Sequence, residues 1–503
     1  MSLKRNLIAN YVGQGWTALM GIAFVPLYIA ALGAESYGLV GVFSVLQASL
    51  TLLDLGLTPT LSREMSRLRA GAHTAQSIRD LLRSLEFVYL ALAAAMVAII
   101  WFASSWLARD WLKAEGLAAS TVVDSLRFMG LVLATRWVEQ VYRGALVGMQ
   151  DQVWLNVAQA ALATVRWGGA YLVVAFLSPT ILAFFIWQGT VSCITAAVLV
   201  QRTYHMLPHS AHPGRFKISS LAEVRTFASG MFLGAILSFS LMQADKIIMS
   251  KLLPLDQLGY YMLALTLSGG LLQLTAPMNN AIYPRLTVQA TSREDAALEQ
   301  TYLQACEWMA AVIVPPALLM TFFAGPVLLA WTGDEALTRS ATTLLALLAL
   351  GTLLNGLMNL PYLLQIAHGW TSLTVWKNTL ATALVVPALL WAIPRFGAVG
   401  AASVWLALNL GYVLLEPSLV FRRLLTHSKW RWYRSAVGAP VGAASAVAAS
   451  LAYALPTATN RIAAGGTVVF ATLAMYVAVL AVLPSVRVVA TRALAAPIRF
   501  IGG

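Results

Sequence analysis

Charge is what this chain has least of. Only 11% of its 503 residues are charged, against 59% that are hydrophobic. Soluble domains carry about 25% charged residues, so an ordinary globular protein is excluded. Acid is scarcer than base, 20 residues against 33, which leaves a net charge of +13. In a soluble protein that surplus would point to nucleic acid. In a chain this apolar it points to cytoplasmic loops and anionic lipid headgroups, and no nucleic-acid partner is expected. Cysteine is nearly absent. Cys193 and Cys306 sit far apart in apolar runs, which excludes a disulfide framework and reads as two small buried hydrophobes.

Phosphate-loop and zinc-protease motifs are also missing. There is no Gly-x4-Gly-Lys-Ser/Thr and no His-Glu-x2-His, so an ATP-driven pump or metallohydrolase is disfavoured and no cofactor is expected. His205, His209 and His212 cluster in one connecting segment, with only Glu223 as a nearby acid. They read as part of a solvated basic link, and no metal site is expected.

Long apolar runs are what the chain does have. About fourteen candidate spans run over roughly 7–32, 37–61, 85–107, 122–149, 154–177, 180–201, 226–252, 258–284, 303–330, 341–366, 372–393, 398–421, 436–455 and 463–483. Lengths of about 20–28 residues suit tilted helices crossing a bilayer. The alternating pattern of about ten residues that marks membrane strands is absent. The first run is too long for a signal-peptide core, and a second span follows at once, so it reads as a retained helix. The expected fold class is therefore an all-α polytopic membrane protein.

Basic residues alternate between connections. Lys4 and Arg5, Arg63 to Arg83, Arg202 to Lys217, Arg293, Arg422 to Arg434 and Arg487 to Arg499 fall on one side. The positive-inside rule makes that side the cytoplasm and places both termini there. The longest outer connection, Ala108 to Ser120, is only about a dozen residues. An enzyme joining glycans on the outer face needs a larger platform, so a polymerase or ligase is disfavoured. The link at 203–224 contains Pro208, Pro213 and Gly214 and divides the chain. The expected organisation is 1–202 with six helices, a linker at 203–224, 225–423 with six more, and 424–503 with two extra helices and a tail. A faint repeat agrees: Tyr37 to Pro59 and Arg63 in the first half parallels Tyr260 to Pro284 and Arg285 in the second.

The fourth span carries Arg136, Glu139, Gln140 and Arg143 at steps that place them on one helical face. Each charge at the centre of a span costs about 2.5–3.5 kcal/mol on insertion scales. A chain that accepts this repeatedly is expected to turn that face towards an internal, wet cavity. Arg166 lies midway along the fifth span with no acid in helical reach, and Asp245 and Lys246 lie in the seventh. As chain neighbours, Asp245 and Lys246 are expected on different faces. The bland alternative is that Glu139 merely neutralises Arg136 and Arg143 on its own helix, where the spacing is right. The net sign is cationic, which suits a phosphate-bearing cargo because a guanidinium binds two oxygens at once. Gln14, Gln47, Gln140, Gln188, Gln243 and Asn279 are candidate sugar-binding amides, with Trp16, Trp137 and Trp167 as candidate stacking faces. Asp54 and Glu307 are lone acids in apolar runs and candidate ion-coupling sites. Lys377 and Glu416 are expected at the membrane interface.

Three stretches in order resemble the polysaccharide flippases of the multidrug/oligosaccharidyl-lipid/polysaccharide exporter superfamily. They are Leu32-Gly33-Ala34-Glu35-Ser36-Tyr37-Gly38-Leu39 with Leu55-Gly56-Leu57; Tyr142-Arg143-Gly144-Ala145-Leu146-Val147-Gly148-Met149-Gln150 with Asn156; and Asp245-Lys246-Ile247-Ile248 with Leu258-Gly259-Tyr260-Tyr261 and Tyr283-Pro284-Arg285-Leu286. The agreement covers about residues 5–300. The resemblance implies a MATE-like fold of two six-helix lobes, here with two further C-terminal helices. It implies a bacterial inner-membrane flippase for a polyprenyl-pyrophosphate-linked oligosaccharide, such as an O-antigen repeat unit, working beside polysaccharide polymerase and glycosyltransferase machinery. A peptidoglycan lipid precursor flippase and a multidrug antiporter are the alternatives on the same fold. A cationic interior argues against the export of cationic drugs.

Overall fold

The computed structural model describes residues 3–53, 57–69, 73–210, 212–217, 239–292, 294–426, 428–456 and 458–483. Within them all regular structure is helical, apart from one isolated bridge between Lys113 and Pro254. The N-terminal helices are α1 Leu3–Ala23, α2 Val25–Leu32, α3 Ala34–Leu53, α4 Leu57–Arg69, α5 Ala75–Trp106, α6 Ala119–Gly148, α7 Gln152–Leu172, α8 Ile181–Met206 and α9 over residues 239–252. There follow α10 Leu255–Thr291, α11 Asp295–Phe322, α12 Ala324–Thr332, α13 Glu335–Leu357, α14 Asn359–Ala367, α15 Thr371–Arg423, α16 Lys429–Trp432, α17 Ala439–Ala454 and α18 Arg461–Val482.

Nine helical segments among the described residues are long and apolar enough to cross a membrane, and the protein is a multi-pass membrane protein. α6 is not one of the nine, because Asp124, Arg127, Arg136, Glu139 and Arg143 dilute its apolar length. The expected spans fall on helical backbone wherever they are described, the seventh only from residue 239. The helix starts are legible in local chemistry. Thr74, Thr180, Asp334 and Asn460 each accept a hydrogen bond from a backbone N–H in the first turn of α5, α8, α13 and α18. α15 holds 53 residues, far more than one crossing needs, and bends at Gly397, whose φ of 59° suits glycine. That bend makes two spans of one helix.

The chain packs as two compact units, Met1–Gly259 and Tyr260–Gly503. Apolar helices gain little by hiding from lipid tails, so close approach inside a bilayer depends on small residues and polar contacts. Gly144 and Gly148 illustrate this in the first unit. A Cβ on Gly144 would lie 3.0 Å from the Thr58 carbonyl oxygen, and one on Gly148 would lie 2.7 Å from the Met65 Cβ. The second matched stretch thus brings α6 against α4, and Ser66 Oγ seals the contact on the Gly148 carbonyl at 3.0 Å.

The first and third matched stretches meet each other. Gly38 backs onto the Leu255 carbonyl and Gly259 onto the Ala34 carbonyl, with no room for a Cβ at either. Glu35 accepts hydrogen bonds from the backbone N–H groups of Glu115 at 2.7 Å and Gly116 at 3.0 Å, which pins the connection between α5 and α6. Lys113 donates to the Leu252 carbonyl at 3.0 Å and Trp111 to Ser250 Oγ at 3.1 Å. These contacts hold residues 250–259 to the first unit, so the division falls one span beyond the 203–224 link. The described part of that link is docked on the start of α5: Asp80 takes the Arg215 N–H at 2.8 Å and the Lys217 ammonium at 2.6 Å.

Candidate functional site

Three helices of the first unit, α3, α7 and α8, converge on the charged face of α6. Arg136 donates to the side-chain carbonyl of Gln47 on α3 and, at 2.9 Å, to that of Gln188 on α8. Its guanidinium lies 5.0 Å from the centre of the Phe43 ring. A cation held by two amide dipoles and an aromatic face is oriented without being neutralised. Glu139 does not pair with Arg136 or Arg143 on its own helix. It faces Arg166 of α7 at 3.6 Å. Arg166 also reaches Thr195 Oγ1 at 3.3 Å and Ser192 Oγ at 3.5 Å on α8. Arg166 finds no acid on its own helix, and its counter-ion comes from a neighbouring one.

The remaining two members of the stripe are open. Gln140 is partly exposed and Arg143 exposed, and Arg143 makes no hydrogen bond or ion pair within the described residues. Three guanidinium groups against one carboxylate leave 3 − 1 = +2 on this cluster. Its polar capacity also exceeds its internal partners. Arg136 Nε, Arg166 Nε and Gln188 Nε2 are buried with no hydrogen-bond partner among the described residues. Such orphaned groups are costly unless a polar molecule meets them. The arrangement is a partly buried, donor-rich cluster with a surplus of positive charge.

Other candidates are placed differently. Lys246 is buried and curls back on α9, donating to Asp245 Oδ1 at 2.9 Å and to the Met242 carbonyl at 2.6 Å. Its flexible stem lets two chain neighbours meet, contrary to the expectation from helical spacing. Lys246 has no bond to the Arg136–Glu139–Arg166 cluster. Trp137 is fully buried and stacks on Tyr89 at 4.6 Å, which removes it as a stacking face for cargo. Trp16 is 42% exposed and tied to Thr164 Oγ1. Asp54 lies outside the described residues. Glu307 is buried in α11. Asn279 of α10 donates to Asn359 Oδ1 at 3.1 Å in the second unit.

Several contributors were not read from sequence in these roles. Gln47 and Gln188 were read as sugar donors, yet their carbonyl oxygens are committed to Arg136. Gln188, Ser192 and Thr195 stand at steps of four and three on α8, a signal that marks the polar face turned to α6 and α7. Glu86, a buried acid of α5, takes hydrogen bonds from Tyr142 and Tyr204 at 2.8 Å each and an ion pair from Arg83 at 2.9 Å. It ties the Tyr142 turn of α6 to α5 and α8. In the second unit Lys377, partly buried, and Glu416, buried, form an ion pair at 3.0 Å. The histidines His205, His209 and His212 are exposed. Among the described residues no three His, Cys, Asp or Glu side chains gather as a ligand set for a metal.

Comparison with known proteins gives this geometry a context. Residues 3–289 match the family described as Polysaccharide biosynthesis protein. The chain is 20% identical over 405 residues to the putative O-antigen transporter of Shigella flexneri, covering 80% of this chain and 94% of that one. In fold it is similar to the lipid II flippase MurJ in an inward closed conformation, with a TM-score of 0.71, 12% identity, and coverage of 96% of this chain and 99% of that one. It is similar also to an inward-facing MATE-family multidrug transporter of the MOP superfamily, with a TM-score of 0.65, 15% identity, and coverage of 82% and 96%. These relatives are transporters and flippases, not enzymes.

Proposed function

The chain belongs to the polysaccharide biosynthesis protein family, and from that premise we propose that it is a flippase for a polyprenyl-pyrophosphate-linked oligosaccharide. The cargo is an O-antigen or other surface polysaccharide repeat unit, moved from the cytoplasmic to the outer leaflet of a bacterial inner membrane by alternating access. One observation carries the reading: a +2 surplus on α6 and α7, with Arg143 outside any ion pair and buried donors without hydrogen-bond partners among the described residues.

Each residue has a role in this reading. Arg143, exposed and without a hydrogen bond among the described residues, meets the pyrophosphate first. Arg136, oriented by Gln47 and Gln188, takes a second oxygen pair through its planar fork. Glu139 keeps Arg166 from binding too tightly and limits the charge that must be released on the far side. Lys246 and Asp245, a neutral pair, adjust the wall without adding to the surplus. Partly exposed amides such as Gln140 face the sugars. Both termini and the 203–224 link lie in the cytoplasm, which accessibility labelling after residue 217 tests directly. Glycosyltransferases supply the cargo on that side and a polymerase consumes it on the other.

A peptidoglycan lipid precursor flippase is the second reading. It is favoured by the fold similarity to the lipid II flippase across nearly the whole chain. A multidrug antiporter for organic cations is disfavoured by the sign of the interior charge. Reconstitution decides between them. Flipping of a fluorescent polyprenyl-pyrophosphate oligosaccharide, lost in the Arg136→Ala, Arg143→Ala variant, supports the proposal. Normal flipping by that variant removes these residues from the mechanism, and exclusive transport of the peptidoglycan precursor transfers the assignment.

A further inference from the structure

The two halves of α15 leave a groove between them within the second unit. The cavity measures about 610 Å³, within the range of small-molecule sites, and its walls are almost wholly aliphatic. It runs from Leu373 and Leu419 at one end to Ala388 and Val404 at the other. At about 1.5 Å per residue that is roughly 22 Å of helix. Gly411 forms part of the wall, and a Cβ placed there meets nothing within 4 Å, so the backbone itself leaves the space. Trp376, Leu380, Leu384, Leu415 and Leu419 along its rim are half exposed or more.

One end of the groove is polar and cationic. Lys377 and Glu416 line it, with the ammonium 4.8 Å from the Tyr412 ring. Beyond them, where α15 begins and ends, stand Arg422 and Arg423, the latter 4.4 Å over Trp370. Glu416 already neutralises Lys377, so the net charge at this end is the arginine pair. From Lys377 to Ala388 the groove is about 16 Å long, half the hydrocarbon thickness of a bilayer. A long prenyl chain would overrun that length, whereas one acyl chain of a phospholipid fills it.

We propose that the α15 groove is a binding site for an anionic phospholipid of the leaflet facing Arg422 and Arg423, with one acyl chain between the two halves of the helix and the phosphate at the arginine pair. The site is separate from the α6 cluster and independent of what the protein carries. It differs from general lipid contact in having a defined volume and a charged mouth.

Native mass spectrometry of the intact protein, stripped in detergent and titrated with phosphatidylglycerol or phosphatidylcholine, tests this. The unaltered chain should retain one phosphatidylglycerol at least tenfold more tightly than phosphatidylcholine. Gly411→Leu and, separately, Ala388→Phe should fill the groove and abolish that retention. Arg422→Gln with Arg423→Gln should remove the preference for the anionic lipid while leaving acyl binding. Leu473→Phe, on the exposed face of α18, should change nothing. A monodisperse peak and an unchanged thermal midpoint confirm that each variant is folded. Equal retention of both lipids by the unaltered chain overturns the proposal. So does undiminished retention in folded variants of either filling type, or a prenyl lipid displacing phosphatidylglycerol from the groove.

Discussion

The two units bury charge in opposite ways. In the first, Arg136 and Arg166, with the exposed Arg143 beside them, have one acid, Glu139, and three donor nitrogens around them lack a hydrogen-bond partner among the described residues. In the second, Lys377 is matched by Glu416, with both carboxylate oxygens at 3.0 Å and Gln365 donating to the same carboxylate at 2.6 Å. The amides of the second unit also pair among themselves, Asn279 with Asn359 and Asn355 with Asn409 at 2.9 Å. Buried ions are costly unless paired and hydrogen-bonded. The second unit pairs Lys377 and Glu416 internally, so its orphaned atoms, Gln365 Oε1 and Asn279 Oδ1 among them, carry no surplus charge. The first does not balance its charges in this way, and a cluster left with surplus charge inside a membrane is the one that can respond to a charged cargo.

The largest test of this contrast removes the surplus. Arg136→Ala with Arg143→Ala takes the cluster from +2 to 0, and surface glycan should fall by at least about 100-fold, since two charge-assisted contacts are lost. Protein level, followed by immunoblot, should hold. Lys at both positions should restore only part of the activity, because it keeps charge and loses the planar fork.

The second test reverses the expectation for the other unit. Glu416→Gln leaves Lys377 partly buried among Tyr362 and Tyr412 without its carboxylate. Breaking a buried pair costs about 3–5 kcal/mol, and the 18% exposure of the lysine side chain brings this to about 2–3 kcal/mol. The thermal midpoint in detergent should drop while flipping per folded molecule is unchanged. Lost flipping at normal stability would move Lys377 and Glu416 into the transport mechanism and blur the contrast.

Glu139→Gln sharpens the comparison further at smaller amplitude. The cluster rises to +3 and Arg166 loses its counter-ion 3.6 Å away. Cargo should bind more tightly and leave more slowly, lowering turnover about tenfold with a lower KM. A raised KM instead would mean that Glu139 contacts the cargo rather than tempering Arg166.

How far the sequence carried this reading follows from which distances lie within one helix. The α6 stripe was legible because Arg136, Glu139 and Arg143 are three and four residues apart, and the helix pitch alone aligns them. Glu139 facing Arg166 was not, because that pair forms across two helices whose relative rotation no spacing encodes. Gln47 and Gln188 were legible as polar residues in apolar runs but not as ligands of Arg136, for the same reason. Gly144 and Gly148 were legible only as part of the second stretch, and the closeness of α4 explains them. Lys246 was misread because its stem is long enough to defeat the rule that chain neighbours diverge. Trp137 was misread because an indole inside a span packs as readily against Tyr89 as against a sugar.

The smallest expected effect concerns driving force. A chain without a recognised nucleotide site must draw on a gradient, on the membrane potential or on consumption of cargo. An emptied cluster of +2 returning towards the cytoplasm moves down an inside-negative potential, and each full charge across 100 mV is worth about 2.3 kcal/mol. Alternating access moves the charge through only part of the field. A quarter of it gives about 1 kcal/mol, or roughly fivefold in rate. Collapsing the potential in proteoliposomes with equal pH and sodium on both sides should therefore slow flipping by about that factor, and Arg143→Gln, which halves the surplus, should weaken the dependence. Glu307 and Asp54 supply the competing account. If flipping ignores the potential but stops in Glu307→Gln or Asp54→Asn, an ion-coupled carboxylate drives the return step. The surplus on α6 and α7 would then serve cargo binding alone.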